Sequence, residues 1–193
     1  MISVMTKEIT SEILYELSVF DRVGVATRER FGNAPPEHHP KFKMLNFRSI
    51  IAYAQIPDDL KNIEQNIENM GRFDRIFEVL AAIDTVIRKL EGMGYEARLI
   101  QQSEMGLSLP QVGAQAGLGE VGGVNSLMIE GAGLTGKLGA IITDAPLTQS
   151  ELAHDVCTKC EACVDVCPAA DTIFRMDPER CIACGECVEA CPF

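Results

Sequence analysis

Long apolar segments are missing from this chain of 193 residues: no stretch approaches the run of about 18 apolar residues that a membrane-spanning helix needs. Lys7, Glu8, Glu12 and Glu16 interrupt the N-terminal segment, which therefore lacks the apolar core of a signal peptide. It also contains no twin-arginine motif. We expect a cytoplasmic protein that has no membrane partner.

Cysteine is absent from the first 156 residues, and all eight cysteines lie in the last 37. Without a secretory signal, this clustering argues against a framework of disulfides. The eight residues form two copies of the pattern C-x2-C-x2-C-x3-C-P, which end at Pro168 and Pro192 and are 24 residues apart. Zinc sites use four ligands in two pairs and give no reason for a third evenly spaced cysteine. The doubled pattern instead predicts two iron–sulfur clusters.

Iron in a cubane cluster binds four thiolates, and a loop with cysteines at every third position can supply three of them. The doubled pattern resembles the two-cluster bacterial ferredoxins, in which the fourth cysteine of each run binds the cluster of the other run. The resemblance implies two [4Fe–4S] clusters, each held by one set of four cysteines. The first ligand set is Cys157, Cys160, Cys163 and Cys191, and the second ligand set is Cys181, Cys184, Cys187 and Cys167.

Negative charge dominates the chain, whose net charge is −11, and it is concentrated near the cysteines. Residues 151–193 carry nine acidic and three basic side chains. Such a surface repels nucleic acid and steers a basic redox partner protein, although a solvated acidic surface that aids solubility explains it equally well. We expect a protein electron donor and no nucleic-acid partner, and the sequence indicates no oligomeric state.

Apolar residues recur at helical spacing in some segments and form short continuous runs in others. The predicted helices span residues 6–18, 72–91 and 110–116, and a polar helix carrying Ile63, Ile67 and Met70 is predicted after Pro57. The predicted strands span residues 21–27, 49–56, 95–100, 126–129 and 138–143, and a glycine-rich turn joins the last two. This order is typical of an α/β fold. We predict an α/β domain over residues 1–150 and a small ferredoxin-like domain over residues 151–193.

Ten of the 16 glycines lie between Gly106 and Gly139, a segment that we call the glycine-rich block. Such density indicates tight turns and close approach of the backbone to another segment or to a ligand. Residues 117–122 match G-x-G-x-x-G, but a predicted helix precedes them, which argues against a dinucleotide site. Residues 131–137 match the frame of a phosphate loop, but Leu138 replaces the Ser or Thr and a predicted strand follows, which argues against ATP.

The order of segments in and after this block resembles the cobalamin-dependent epoxyqueuosine reductases and reductive dehalogenases. The matching segments are 116–120 (AGLGE), 125–129 (NSLMI), 138–147 (LGAIITDAPL) and the first cysteine run. The resemblance implies an α/β domain related to the nitroreductases that holds a corrinoid in its base-off form, and clusters that pass electrons to the cobalt. The implied corrinoid-binding residues are Gly117, Leu118, Gly119, Gly122, Asn125, Ser126 and Thr143.

The chain departs from those families in several respects. Ser103 occupies the place of the acidic proton donor of the reductases, with Glu104 beside it, and the chain is much shorter than either family. The candidate proton donors are Glu104, Tyr53, Tyr95 and Lys137, and no catalytic residue can be assigned. Three functions remain open: a corrinoid-binding reductase, an electron carrier whose N-terminal domain docks a partner, and a flavin-dependent reductase.

Overall fold

The computed structural model describes residues 2–34, 39–56, 71–100, 107–134, 136–170, 180–182 and 184–192. Five α-helices occur in this part of the chain: α1 (Ile2–Glu16), α2 (Gly71–Gly92), α3 (Leu109–Gln115), α4 (Ala162–Asp165) and α5 (Glu186–Glu189). Six strands occur there: β1 (Arg22–Thr27), β2 (Ser49–Gln55), β3 (Ala97–Ile100), β4 (Glu120–Val121), β5 (Leu127–Met128) and β6 (Lys137–Thr143).

Four of the strands form one antiparallel sheet in the order β1-β2-β6-β3, and β4 and β5 form a separate two-stranded ladder. The two central strands pair along their whole length, from Ser49 opposite Thr143 to Gln55 opposite Lys137. Six of the seven residues of β2 are buried. Continuous apolar runs form these central strands because both faces of the sheet are covered.

One face of the sheet packs against α1 and α2. Its core contains Val25, Ile51 and Ile141 from the strands, and Ile13 and Leu90 from the two helices, all fully buried. The second half of α2 supplies this contact through Ile83, Val86 and Leu90. The apolar residues nearer its start are exposed: Ile76, Phe77 and Leu80. No helix in the described ranges combines the length and the apolar character needed to cross a membrane.

The other face packs against α3 and the glycine-rich block. Ile50 and Ile142 from the sheet meet Val112 from α3, and Leu118 and Ile129 from the block, in a second buried core. The block therefore lies between the sheet and the cysteine-rich segment, which begins soon afterwards.

The predicted fold class is confirmed: an α/β domain is followed by a ferredoxin-like region. One detail was wrong, because the strands predicted at 126–129 and 138–143 do not form a hairpin with each other. β5 pairs with β4 instead, and β6 pairs with β2 and β3. Gly119 makes the β4–β5 pairing possible, since a Cβ atom there would lie 2.0 Å from the carbonyl oxygen of Met128. The polar helix predicted after Pro57 lies outside the described residues.

Candidate iron–sulfur site

A cavity of about 260 Å³ lies where the glycine-rich block meets the cysteine-rich segment. The four cysteines of the first ligand set all line it: Cys157, Cys160, Cys163 and Cys191. The α/β domain supplies the opposite wall through Val121, Gly122, Gly123 and Met128. The fold thus brings Cys191 to the three cysteines of the first run, although 28 residues of sequence separate it from Cys163.

The second ligand set is more exposed, with two exposed cysteines where the first set has one. Cys181 and Cys184 are exposed, whereas Cys167 and Cys187 are half-buried. Burial raises the pKa of the Cys187 thiol, and the neighbouring Cys167 thiol raises it further. Burial likewise raises the pKa of Cys163, which has Cys157 and Cys191 as its neighbouring thiols. Cys163 therefore lies beside cysteines of its own predicted set, whereas Cys187 lies beside Cys167 and Cys184 of its own set and also beside Cys163 of the other set.

The sulfurs do not converge on one point. Within the described ranges, no three Cys, His, Asp or Glu side chains lie close enough together to hold a single metal ion. A four-iron cube is larger than one ion, so its ligand sulfurs need not approach one another so closely. Thiolates are the ligands that iron–sulfur clusters require, and the four that line the cavity fit such a cluster.

The sequence repeat is also a repeat of backbone geometry. Glu161 and Gly185 occupy equivalent positions just before α4 and α5, and both have a left-handed backbone, with φ of 65° and 83°. In each copy the carbonyl oxygen of this residue accepts a hydrogen bond from the N–H three residues later, at 2.7 Å to Val164 and 2.8 Å to Val188. The same turn therefore follows the second cysteine of both runs and presents the third cysteine from a short helix.

The turn at residues 122–125 forms the wall of the α/β domain that faces the first ligand set. The N–H of Gly122 donates to the carbonyl oxygen of Ser126 at 2.8 Å, and Asn125 adopts a left-handed φ of 53°. A Cβ atom on Gly123 would lie 2.6 Å from Cγ2 of Val164 and 3.8 Å from Sγ of Cys163. The turn can approach the cluster ligands this closely because Gly123 has no side chain.

Three of the seven residues implied to bind a corrinoid pack against the chain itself. A Cβ atom on Gly117 would lie 1.9 Å from the carbonyl oxygen of Glu151, and one on Gly119 would lie 2.0 Å from that of Met128. The side chain of Leu118 is only 4% exposed and belongs to the core beneath the sheet. The two glycines are explained by close approach to another segment of the protein.

Thr143 lies apart from the other six. It is fully buried on the face of the sheet that packs against α1 and α2. Its hydroxyl donates to the carbonyl oxygen of Glu96 at 2.7 Å and accepts from the N–H of Ala145 at 3.1 Å. Gly122, Asn125 and Ser126 lie at the turn beside the cluster cavity. The seven residues therefore do not form one surface, and they do not fit a corrinoid as a single cradle.

The candidate proton donors do not gather at the cavity. Tyr53 is 8% exposed, its ring centroid lies 4.2 Å from that of Phe20, and burial raises its pKa to about 12. It packs on the α1–α2 face, so its role there is structural. Tyr95 is half-buried in the same layer, and Lys137 is exposed at the start of β6. Glu104 lies outside the described residues.

Sequence comparison identifies the cysteine-rich segment. Two families described as 4Fe-4S binding domains match the chain, one at residues 154–170 and the other at residues 174–193. Together these segments contain all eight cysteines. The chain carries two 4Fe–4S binding segments, and the predicted iron–sulfur cofactors are confirmed at that level.

The curated relatives are reductases. The epoxyqueuosine reductase of Pseudomonas aeruginosa is 35% identical over 75 residues, which cover 37% of this chain and 21% of that protein. The epoxyqueuosine reductase of Xanthomonas campestris pv. campestris is 40% identical over 70 residues, which cover 35% of this chain and 20% of that protein. The match thus covers about a fifth of each relative.

Solved structures of two kinds of reductase share the fold. A selenomethionine-labelled epoxyqueuosine reductase superposes with a TM-score of 0.71 and 17% identity, covering 96% of this chain and 65% of that one. A catabolic reductive dehalogenase superposes with a TM-score of 0.52 and 20% identity, covering 81% of this chain and 24% of that one. The likeness in fold therefore includes the α/β domain and is not confined to the cysteine-rich segment.

The sequence did not indicate the residues of the α/β domain that touch the first ligand set. Sδ of Met128 lies 3.8 Å from Sγ of Cys191. The N–H of Val124 bonds to the Cys163 sulfur, and the carboxylate of Glu120 accepts from the N–H groups of Val156 and Cys157. All these contacts join residues at least 36 positions apart. Such pairs leave no local pattern, and the only signals were the glycines around them and the resemblance of segments 116–120 and 125–129, which contain Glu120 and Met128.

Proposed function

We propose that this chain is an electron-transfer module of the reductase type. It passes electrons through two [4Fe–4S] clusters from a partner protein to an acceptor at the α/β domain. The observation that carries the proposal is the cavity whose two walls are the first ligand set and the turn at residues 122–125. A cluster held there lies against the α/β domain. When bound, each cluster supplies one-electron transfer at a potential set by its surroundings.

Electrons enter at the second ligand set. Cys181 and Cys184 are exposed, and Ile182 between them is 71% exposed, which gives a donor protein an apolar point of contact. The surrounding segment is strongly acidic. A donor with a basic docking surface is therefore favoured, because complementary charge speeds encounter and orients the partner.

A corrinoid is one candidate acceptor. Support comes from the resemblance to cobalamin-dependent enzymes and from the similar fold of a reductive dehalogenase whose structure suggests a mechanism for B12-dependent dehalogenation (TM-score 0.51, 20% identity). The seven implied residues do not fit it as one cradle, so we derive no chemical step through cobalt. The other candidate acceptor is a partner protein that docks on the α/β domain.

Anaerobic purification and metal analysis test the module. We expect about eight irons per chain, since each cubane contains four, and absorbance that bleaches on reduction. One cluster or none would contradict the proposal.

Adding cobalamin to the iron-loaded protein then distinguishes the two candidate acceptors. Saturable binding of cobalamin to the unchanged protein identifies a corrinoid acceptor. This binding should persist in the variant Thr143→Val, because Thr143 is buried on the face of the sheet that packs against α1 and α2. Lack of binding at saturating cobalamin leaves the partner protein.

RNA reduction is a second candidate function. The curated relatives are epoxyqueuosine reductases, and one solved relative holds an epoxyqueuosine-modified tRNA stem loop, with a TM-score of 0.61 and 18% identity. The net charge of this chain predicts no nucleic-acid partner, but residues 28–48 carry five basic and two acidic side chains. In this stretch Phe42 is 66% exposed, with Nζ of Lys41 lying 5.2 Å from its ring centroid. Basic and aromatic side chains together can bind phosphates and stack on bases.

Replacing Lys41 and Lys43 by glutamine tests this candidate. If residues 28–48 bind RNA, the double variant should weaken binding of a tRNA stem loop about tenfold at low salt, because two phosphate contacts are lost. Fluorescence anisotropy measures the affinity. Lys7→Gln is the matched control, since Lys7 is exposed on α1 and outside this stretch. Equal affinities for the double variant, the control and the unchanged protein would exclude the stretch as the RNA site.

A further inference from the structure

Glu120 is the residue of the α/β domain that holds the start of the first cysteine run. One oxygen of its carboxylate, Oε2, accepts hydrogen bonds from the N–H of Val156 at 2.8 Å and from the N–H of Cys157 at 2.9 Å. A carboxylate oxygen that accepts two backbone N–H bonds makes charge-assisted hydrogen bonds, so Glu120 holds the backbone of a predicted cluster ligand.

The partner of Glu120 in the β4–β5 ladder touches the other end of the same ligand set. Glu120 lies directly opposite Met128, so both side chains project from the same face of the ladder. The sulfur of Met128 lies 3.8 Å from that of Cys191. One cross-strand pair thus contacts both Cys157 and Cys191, the first and the last cysteine of the first ligand set.

The β4–β5 ladder is itself held in place by packing against the rest of the α/β domain. Gly119 lets the chain approach the carbonyl oxygen of Met128, and Leu127 is buried in the core that covers the sheet. The ladder is a fixed platform, whereas the cysteine-bearing loops have little regular structure of their own. Contacts made by the ladder therefore set where these loops lie.

We propose that Glu120 is a positioning residue for the cluster of the first ligand set. Its carboxylate fixes the backbone of Val156 and Cys157, which holds Cys157 at the cavity that Cys191 also lines. Its negative charge also disfavours addition of an electron to the cluster and so lowers the reduction potential. The inference rests on the proposed function, because it assigns a cluster to these cysteines, and it adds an electronic role for the α/β domain.

Conservative variants distinguish the positioning role of Glu120 from its effect on the reduction potential. Glu120→Gln keeps the length of the side chain and an acceptor oxygen but removes the charge. Glu120→Asp keeps the charge but withdraws the carboxylate by one methylene. Glu130→Gln is the control, because Glu130 is exposed on the turn that follows β5. An EPR-monitored redox titration of the iron-loaded protein, with iron analysis, measures both roles for each cluster.

We expect Glu120→Gln to raise the potential of one cluster only. At an ambient potential near its midpoint, the ratio of reduced to oxidised cluster should increase about threefold or more. Glu120→Asp should keep the potential and lose iron from the same cluster, and Glu130→Gln should change neither. Loss of about half the iron from Glu120→Gln, confined to one cluster, also supports positioning. Equal potentials and full iron in Glu120→Gln, or equal effects on both clusters, would overturn the inference.

Rejection of the role of Glu120 can be distinguished from failure of the proposed function. Iron content of the unchanged protein tests whether two clusters exist at all, and it does not depend on Glu120. Two clusters in the unchanged protein together with no effect of Glu120→Gln would reject the inference alone.

Discussion

Replacing Cys157 and Cys191 together by alanine is expected to remove one cluster and leave the other, so that about four of about eight irons remain. The two residues lie at one cavity and belong to the same predicted ligand set. Once one of them is lost, loss of the other damages nothing further. Replacing Cys181 and Cys191 together should instead remove both clusters, because these two cysteines belong to different sets.

Iron analysis and the visible spectrum of the anaerobically loaded variants distinguish the two ligation patterns without assigning signals to either cluster. If each run bound its own cluster, the outcome would be reversed: the Cys157 and Cys191 pair would lose all the iron, and the Cys181 and Cys191 pair about half. The matched pairs share Cys191 and differ only in the first residue, so a general effect of Cys191 on folding cannot produce the contrast. This is a double-mutant test of coupling.

The sheet and its helices could be predicted because their signals are local. β2 and β6 are continuous apolar runs, and the apolar stripe of α2 recurs at helical spacing over 22 residues. Strand pairing was less predictable. The segment 126–129 contains a strand, but its partner is β4, which is only two residues long and carries no pattern of its own. Two-residue strands are set by the packing around them and cannot be found from periodicity.

The residues of the candidate site were likewise predictable only where their signal is local. The cysteines were predicted because their spacing is a direct consequence of how a loop surrounds a cluster. The glycine-rich block was ambiguous, since a glycine in the sequence does not show whether a ligand or another protein segment occupies the space that a side chain would fill. The structure shows backbone of the protein at Gly117 and Gly119, and the side chains of Val164 and Cys163 at Gly123. Glu120 lies in the segment 116–120 that carried the resemblance, but its contacts could not be predicted, because its partners lie 36 and 37 residues away.

Gly117→Ala is expected to destabilise the protein strongly. Gly117 lies where the glycine-rich block contacts the segment that leads into the cysteine-rich segment. Gly117 has a φ of 82°, where any other residue is strained by about 1–2 kcal/mol. The new Cβ would also lie 1.9 Å from the carbonyl oxygen of Glu151, a backbone atom that cannot rotate away. We expect the free energy of unfolding to fall by about 2–4 kcal/mol in total.

Gly131→Ala separates the strain from the collision. Gly131 has a similar φ of 75°, but among the described residues no atom beyond its chain neighbours lies within 4 Å of the position that its Cβ would take, so it should lose only about 1–2 kcal/mol. Urea titrations followed by far-UV circular dichroism on the iron-loaded proteins compare the two midpoints at an unchanged slope. The excess loss in Gly117→Ala measures the close approach of residues 117 and 151. If the two variants unfold at the same urea concentration, that approach is not present in the folded protein. The excess should be accompanied by loss of iron from the first ligand set, because the segment held by Gly117 leads within six residues to Cys157.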